Sequence, residues 1–300
     1  MALKWCGVTS RARTPIALSI AGSDSGGGAG IQADLKAFAR CGVHGTTAVT
    51  AITVQNTTGV RAVHMVPPDL VLAQVRAVVA DIGVDAVKVG MLGTAETARA
   101  VARALDELAP HTPVVVDPVM VAESGARLLE PDAQRALIEE ILPRATVATP
   151  NLPEARALAE ESSTGSRGRG EELDGGDERD GEAEALARAV LALGPRIVVL
   201  TGGHRRRAAD LFIDGQAGGE AVEIPGDRHP DGAAHGSGCT HSSVLAAALA
   251  LGQTPLEAAR TARRLAGEAV AHGLRDVGAG AGPVDIVDLG ACRSAIIGAR

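Results

Sequence analysis

The chain has 300 residues and a net charge of −7, with 46% hydrophobic and 22% charged residues but only two Phe, one Trp and no Tyr. That length buries a full core and fits one enzyme-sized domain, its interior filled by Ala, Val, Leu and Ile rather than by rings. A negative balance, no Lys/Arg stripe and almost no rings on which bases could stack exclude nucleic-acid binding, and the lack of any apolar run of about 18 residues excludes a membrane-spanning helix.

Residues 1–14 carry Lys4, Arg11 and Arg13 without the apolar core of a signal peptide and are expected to be a disordered leader. Cys6, Cys41, Cys239 and Cys292 lack CxxC spacing, which argues for a reducing cytoplasm and against a zinc site or disulfide framework. The first β-branched run, Ile16–Ala21, leads into Gly22-Ser23-Asp24-Ser25-Gly26-Gly27-Gly28-Ala29-Gly30 and then a helix over Ile31–Arg40. So many glycines let backbone approach a ligand at a helix N-terminus, a structural turn being the alternative. Gly28–Ala33 fits GxGxxA, but no Asp or Glu stands between His44 and Val60 to bind a ribose, so the dinucleotide reading fails. The loop also lacks the Gly-Lys-Ser/Thr ending of a P-loop.

Further strands are expected at Thr46–Val54, Asp85–Val89, Pro113–Val116, Thr146–Ala148 and Arg196–Leu200. They alternate with helices at Asp69–Ala80, Ala95–Leu108, Pro131–Ile141 and Glu182–Leu193. This alternation is the pattern of a mostly parallel sheet with covering helices. After two middle strands come Asp117-Pro118-Val119 and Asn151-Leu152-Pro153-Glu154. Ligands gather beyond the carboxyl ends of such strands, so Asp117 and Glu154 can hold Mg²⁺ with Asn151 assisting. Asp117 as a turn residue and Glu154 as a first-turn helix charge are the alternatives. Ser162–Gly181, charged, Gly-rich and nearly free of apolar residues, reads as an exposed, flexible insertion. The C-terminal third offers a hairpin over Ala209–Ile224 and helices at Cys239–Leu251 and Pro255–Ala271. Before the first of these helices, Ala234-His235-Gly236-Ser237-Gly238-Cys239-Thr240-His241 reads as an anion-binding nest with Cys239 in the first turn, where the helix dipole would lower its pKa. An inert cap with a small buried thiol is the alternative.

GSDSGGGAGIQADLK, AVTAITVQNTTGV, KVGMLGT, VDPVM, TPNLPEA, TGGH and HGSGCTHSS stand in this order. Together, from about Ile16 to Leu274, they resemble the hydroxymethylpyrimidine/phosphomethylpyrimidine kinases; single motifs are shared with pyridoxal kinases. The resemblance implies a three-layer α/β/α ribokinase-like domain over residues 15–290, with a tail at 291–300. It also implies a cytoplasmic, homodimeric kinase that uses ATP and Mg²⁺ on an aminopyrimidine on the route to thiamine. By the same resemblance Gly22, Asp34, Gln55, Met91 and Val119 meet the aminopyrimidine, and Asp117, Asn151 and Glu154 serve Mg²⁺ and the phosphates. Thr201, Gly202 and Gly203 lie against ATP, Gly236, Ser237 and Gly238 form the anion hole, and Cys239 takes the hydroxyl proton. The alternatives are a pyridoxine/pyridoxal kinase and a non-catalytic vitamin- or nucleotide-binding regulator. The chain departs from the family pattern at Gly280-Ala281-Gly282-Pro283-Val284, which lacks a His.

Overall fold

Strand β1 (Ile16–Ser23) is buried almost throughout, as a central strand covered on both faces must be. It pairs in parallel with β2 (His44–Asn56) on one side and β4 (Ala86–Val89) on the other. The computed structural model describes residues 13–121, 125, 128–164, 178–204, 208–230 and 232–297. Beyond β4 follow β5 (Val114–Val116), β6 (Val147–Ala148) and β7 (Ile197–Leu200), all parallel. Three antiparallel pairings finish the edges: β3 (Gly59–Met65) on β2, β8 (Ala209–Asp214) on β7 and β9 (Ala221–Pro225) on β8. The nine-stranded order β3-β2-β1-β4-β5-β6-β7-β8-β9 reverses direction of growth at β1 and β4, and that is where open α/β sheets place a ligand crevice.

Period-2 alternation splits the strand side chains between two cores. Leu18, Ile20, Val87, Val89, Val114, Val116, Val198 and Leu200 pack under α2 (Pro68–Asp81), α3 (Ala95–Asp106), α4 (Pro131–Ala136), α5 (Leu152–Thr164) and α6 (Glu178–Leu191). Ala17, Val115, Val147, Ile197 and Val199 face the other way, toward α1 (Gly30–Arg40), α7 (Ser237–Ala250) and α8 (Pro255–Ala271). A three-layer α/β/α architecture results, and both Phe residues, Phe38 and Phe212, lie in the second core.

Several boundaries differ from the sequence reading. The expected helix at Pro131–Ile141 is α-helical only to Ala136 and passes through a π turn (Leu137–Ile141) into a 3-10 turn (Leu142–Arg144), where Pro143 has no amide to continue the ladder. Strand β3, helix α5 and a last helix, α9 (Leu289–Ile297), were not expected. Of the insertion at 162–181, Ser162–Thr164 end α5 and Glu178–Gly181 begin α6; residues 165–177 lie outside the described residues. Residues 1–12 of the leader lie outside them too, whereas Arg13 bonds Asp85 at 2.8 Å.

Candidate active site

At the carboxyl ends of β1, β4, β5, β6 and β7 opens a cleft of about 430 Å³. Gly22, Gln55, Met91, Val119, Asp117, Asn151, Glu154, Thr201, Gly202, Gly203 and Gly236 to Cys239 all line it, so residues spread over most of the chain meet in one place. Asp34 is the exception: it is fully buried and stands outside the lining. Its carboxylate accepts hydrogen bonds from Ser19 Oγ (2.5 Å) and Ser243 Oγ (2.7 Å) and pairs with Lys88 Nζ at 3.1 Å. The ring contact expected of Asp34 is corrected on that ground, because its acceptors are spent on holding a buried cation.

That cation is the feature sequence reading passed over. Lys88 sits fully buried in β4 with Nζ also 3.7 Å from Asp117, which in turn accepts a hydrogen bond from Ser242 Oγ at 3.0 Å. Burial works against its charge, yet the carboxylates of Asp34 and Asp117 and the Cys239 thiol hold Lys88 above the ordinary lysine range. The available signal was a lone charge in the otherwise apolar run Ala86-Val87-Lys88-Val89. A buried charge of this kind persists only when paired.

Cys239 lies in the first turn of α7, but the expected lowering of its pKa is reversed. Burial, reinforced by the Asp117 and Asp34 carboxylates, pushes the thiol up to about 12, although Lys88 and the Gly30 N–H favour the thiolate. A helix terminus contributes a fraction of a charge, which loses here to desolvation and two full negative charges.

The glycine loop and the nest are locked together. Asp24 is 3% exposed and accepts N–H bonds from Gly26, Gly28 and Ala29 while its Oδ2 lies 3.1 Å from His235 Nε2. Burial opposes ionisation of Asp24, but the hydrogen bonds from His235 and the backbone keep its carboxyl below its ordinary value. A Cβ on Gly28 would come within 2.2 Å of the His235 ring, so only glycine fits. From the other side, Ser25 Oγ donates to the Gln55 carbonyl, tying the end of β2 to the same loop.

At the opposite wall Asn151 and Glu154 form a reciprocal cap for α5: the Asn151 N–H donates to Glu154 Oε2 and the Glu154 N–H to Asn151 Oδ1, each at 2.9 Å. The first-turn role thus holds, without removing Glu154 from the cleft. Burial and the charge of Asp117 raise its pKa to about 8, and burial likewise raises that of Asp117. Two buried carboxylates with raised pKa values are groups whose charges a bound cation would stabilise. No cluster of three or more His, Cys, Asp or Glu suited to a metal occurs among the described residues. A site of one or two carboxylates completed by phosphate oxygens fits Mg²⁺ rather than a metal held by protein alone.

The family model for phosphomethylpyrimidine kinase matches residues 24–285. A curated hydroxymethylpyrimidine/phosphomethylpyrimidine kinase from Rhizobium meliloti (strain 1021) is 46% identical over 274 residues, covering 90% of this chain and 96% of its own. The crystal structure of a phosphomethylpyrimidine kinase from Clostridium difficile 630 superposes with a TM-score of 0.68 at 35% identity, over 84% of this chain and 97% of that one. A pyridoxal kinase from Staphylococcus aureus, in complex with AMP-PCP and pyridoxal, reaches 0.76 at 32% identity, over 92% and 94%. The scaffold is therefore common to both kinases, and no described helix is long and apolar enough to cross a membrane.

Proposed function

The chain belongs to the phosphomethylpyrimidine kinase family, and from that premise we propose that this cleft moves the terminal phosphoryl group of ATP onto 4-amino-5-hydroxymethyl-2-methylpyrimidine and then onto the resulting monophosphate, a kinase activity on the route to thiamine. One observation carries the reading: Gln55, Asp117, the Gly236–Cys239 turn and Thr201–Gly203 line a single cleft at the point where sheet order reverses. Gly22, Gln55, Met91 and Val119 form the acceptor end. The Gln55 amide offers a donor and an acceptor, matching the amino group and a ring nitrogen of an aminopyrimidine.

In the transfer, the hydroxymethyl oxygen bonds to the terminal phosphorus, the bond from that phosphorus to the β-bridging oxygen breaks, and ADP leaves with the electron pair. Gly236 and Gly238 offer backbone N–H groups to the charge gathering on the phosphoryl oxygens, while the Ser237 N–H closes the turn between them by donating to the Ala234 carbonyl at 3.0 Å. Asp117 and Glu154 would hold Mg²⁺, which when bound neutralises phosphate charge, with Asn151 beside them. Cys239 is the group placed to take the hydroxyl proton; Lys88 and the Gly30 N–H favour its thiolate, against burial and the Asp117 and Asp34 carboxylates, which keep the thiol protonated. Thr201, Gly202 and Gly203 pack against the nucleotide. A homodimer is proposed through the exposed edge formed by β2 and β3, where Ile52, Val54 and Val63 are 54%, 56% and 41% exposed.

Release of ADP, measured with the pyrimidine, with pyridoxine and with no acceptor, tests the reading. The pyrimidine is expected to exceed both others by at least about tenfold, since a site built on paired hydrogen bonds rejects a ring that lacks them. Equal rates with pyridoxine would establish a pyridoxal-type kinase instead.

A further inference from the structure

The chemistry above leaves one charged cluster unused. Asp210 on β8 is 1% exposed; its Oδ1 accepts the Gly202 N–H at 2.8 Å, and its Oδ2 lies 2.9 Å from Nε2 of His241. Arg263 on α8 brings its Nε to 3.8 Å from Asp210 Oδ1 while Nη2 donates to the Ala208 carbonyl. With Nε2 committed to Asp210, the His241 ring retains Nδ1, which is buried without a hydrogen-bond partner, and Arg263 Nε is in the same condition. Native folds seldom leave one such group, and here two flank one carboxylate. Asp210, His241 and Arg263 all line the cleft, beside Gly202 and Gly203.

Their chemistry limits what completes them. Arg263 Nε–H can only donate, and the His241 ring, its Nε2–H held by Asp210, has Nδ1 left to meet a ligand, as a donor whenever the ring carries both protons. A group rich in acceptors satisfies both donors at once. Position narrows it further, because His241 stands at i+4 from Ser237 and therefore shares the helix face that bears the anion hole, one turn along α7. A polyphosphate with its terminal group at Ser237 runs past His241 on its way to Gly202.

We propose that His241, held by Asp210 and assisted by Arg263, binds a non-transferred phosphate of the nucleotide donor and so sets nucleotide affinity. This inference rests on the reading of the cleft as an ATP-dependent kinase site. Binding of ADP and of adenosine is measured by calorimetry for the unmodified chain, His241→Leu and His241→Gln, alongside melting curves. His241→Leu is expected to weaken ADP by about tenfold, the scale of one charge-assisted hydrogen bond, with adenosine unchanged. His241→Gln, which keeps a donor, recovers part of that loss and stands in if the Leu variant does not fold. Equal loss for adenosine and ADP places the contact on the ribose and overturns the proposal. Unaltered ADP affinity in both variants, with or without a lowered melting temperature, leaves a structural pair only and also overturns it. If the unmodified chain binds no ADP, the kinase reading itself falls.

Discussion

Glu154 serves as cap and as cleft carboxylate, and the two duties pull its proton in opposite directions. Hydrogen bonds from Asn151 and Met120 favour the anion, but burial and Asp117 prevail and hold the pKa near 8 against an ordinary 4.5. In the unfolded chain the group ionises at its ordinary value. Between roughly pH 4.5 and 8 the native state therefore binds more protons than the unfolded one, and its stability falls as pH rises. Glu154→Gln keeps an oxygen for the cap and removes the titration. Melting curves in Mg²⁺-free buffer are expected to show the variant gaining on the parent from pH 5 to pH 8; parallel curves would refute the assignment. At this scale the sequence identified residues better than their states. Cys239 and Asp117 line the cleft as read, whereas Lys88, Asp24, His235 and His241 went unnoticed because their roles come from partners remote in sequence. The misjudged Cys239 pKa has the same origin: a local dipole was visible, while the desolvation and the Asp34 and Asp117 charges that outweigh it are tertiary.

Helix α8 begins and ends where its pattern places it, because Pro255 opens it and Glu257 accepts the Thr254 N–H at 3.0 Å. Helix α5 was not placed although Glu154 offered a first-turn helix charge, because its partner in the cap, Asn151, was read only for its chemistry. Strand β3 escaped because an edge strand that is mostly exposed carries no clear alternation. The loops were legible as ligand-binding elements but not as a matched pair. Gly28→Ala tests that match: the new methyl must displace the His235 ring and break its contact with Asp24. Turnover is expected to fall at least tenfold, by analogy with the cost of misplacing groups around a reacting centre. The melting temperature should fall as well, because the buried Asp24 carboxylate loses its His235 partner. Full activity in Gly28→Ala would show that the anion hole does not depend on the glycine loop.

Over the whole molecule the three-layer plan was readable from alternating strand and helix periods, and strand alternation sends successive side chains into the two cores. Sheet order was not readable, since nothing local states that the chain passes back across β1 to place β4 at its other side. That topology governs how the protein is made. Asp24 and His235 are 211 residues apart, and bringing such distant segments together is an entropic cost met late in folding. On dilution from urea, helical circular dichroism is expected to recover before ADP binding does, and simultaneous recovery would contradict this order. During synthesis the same separation becomes a delay. At about 5–20 residues per second a ribosome needs on the order of 10–40 s after making Asp24 to deliver His235, so the first half of the cleft waits without its counterpart while the rest of the chain is translated.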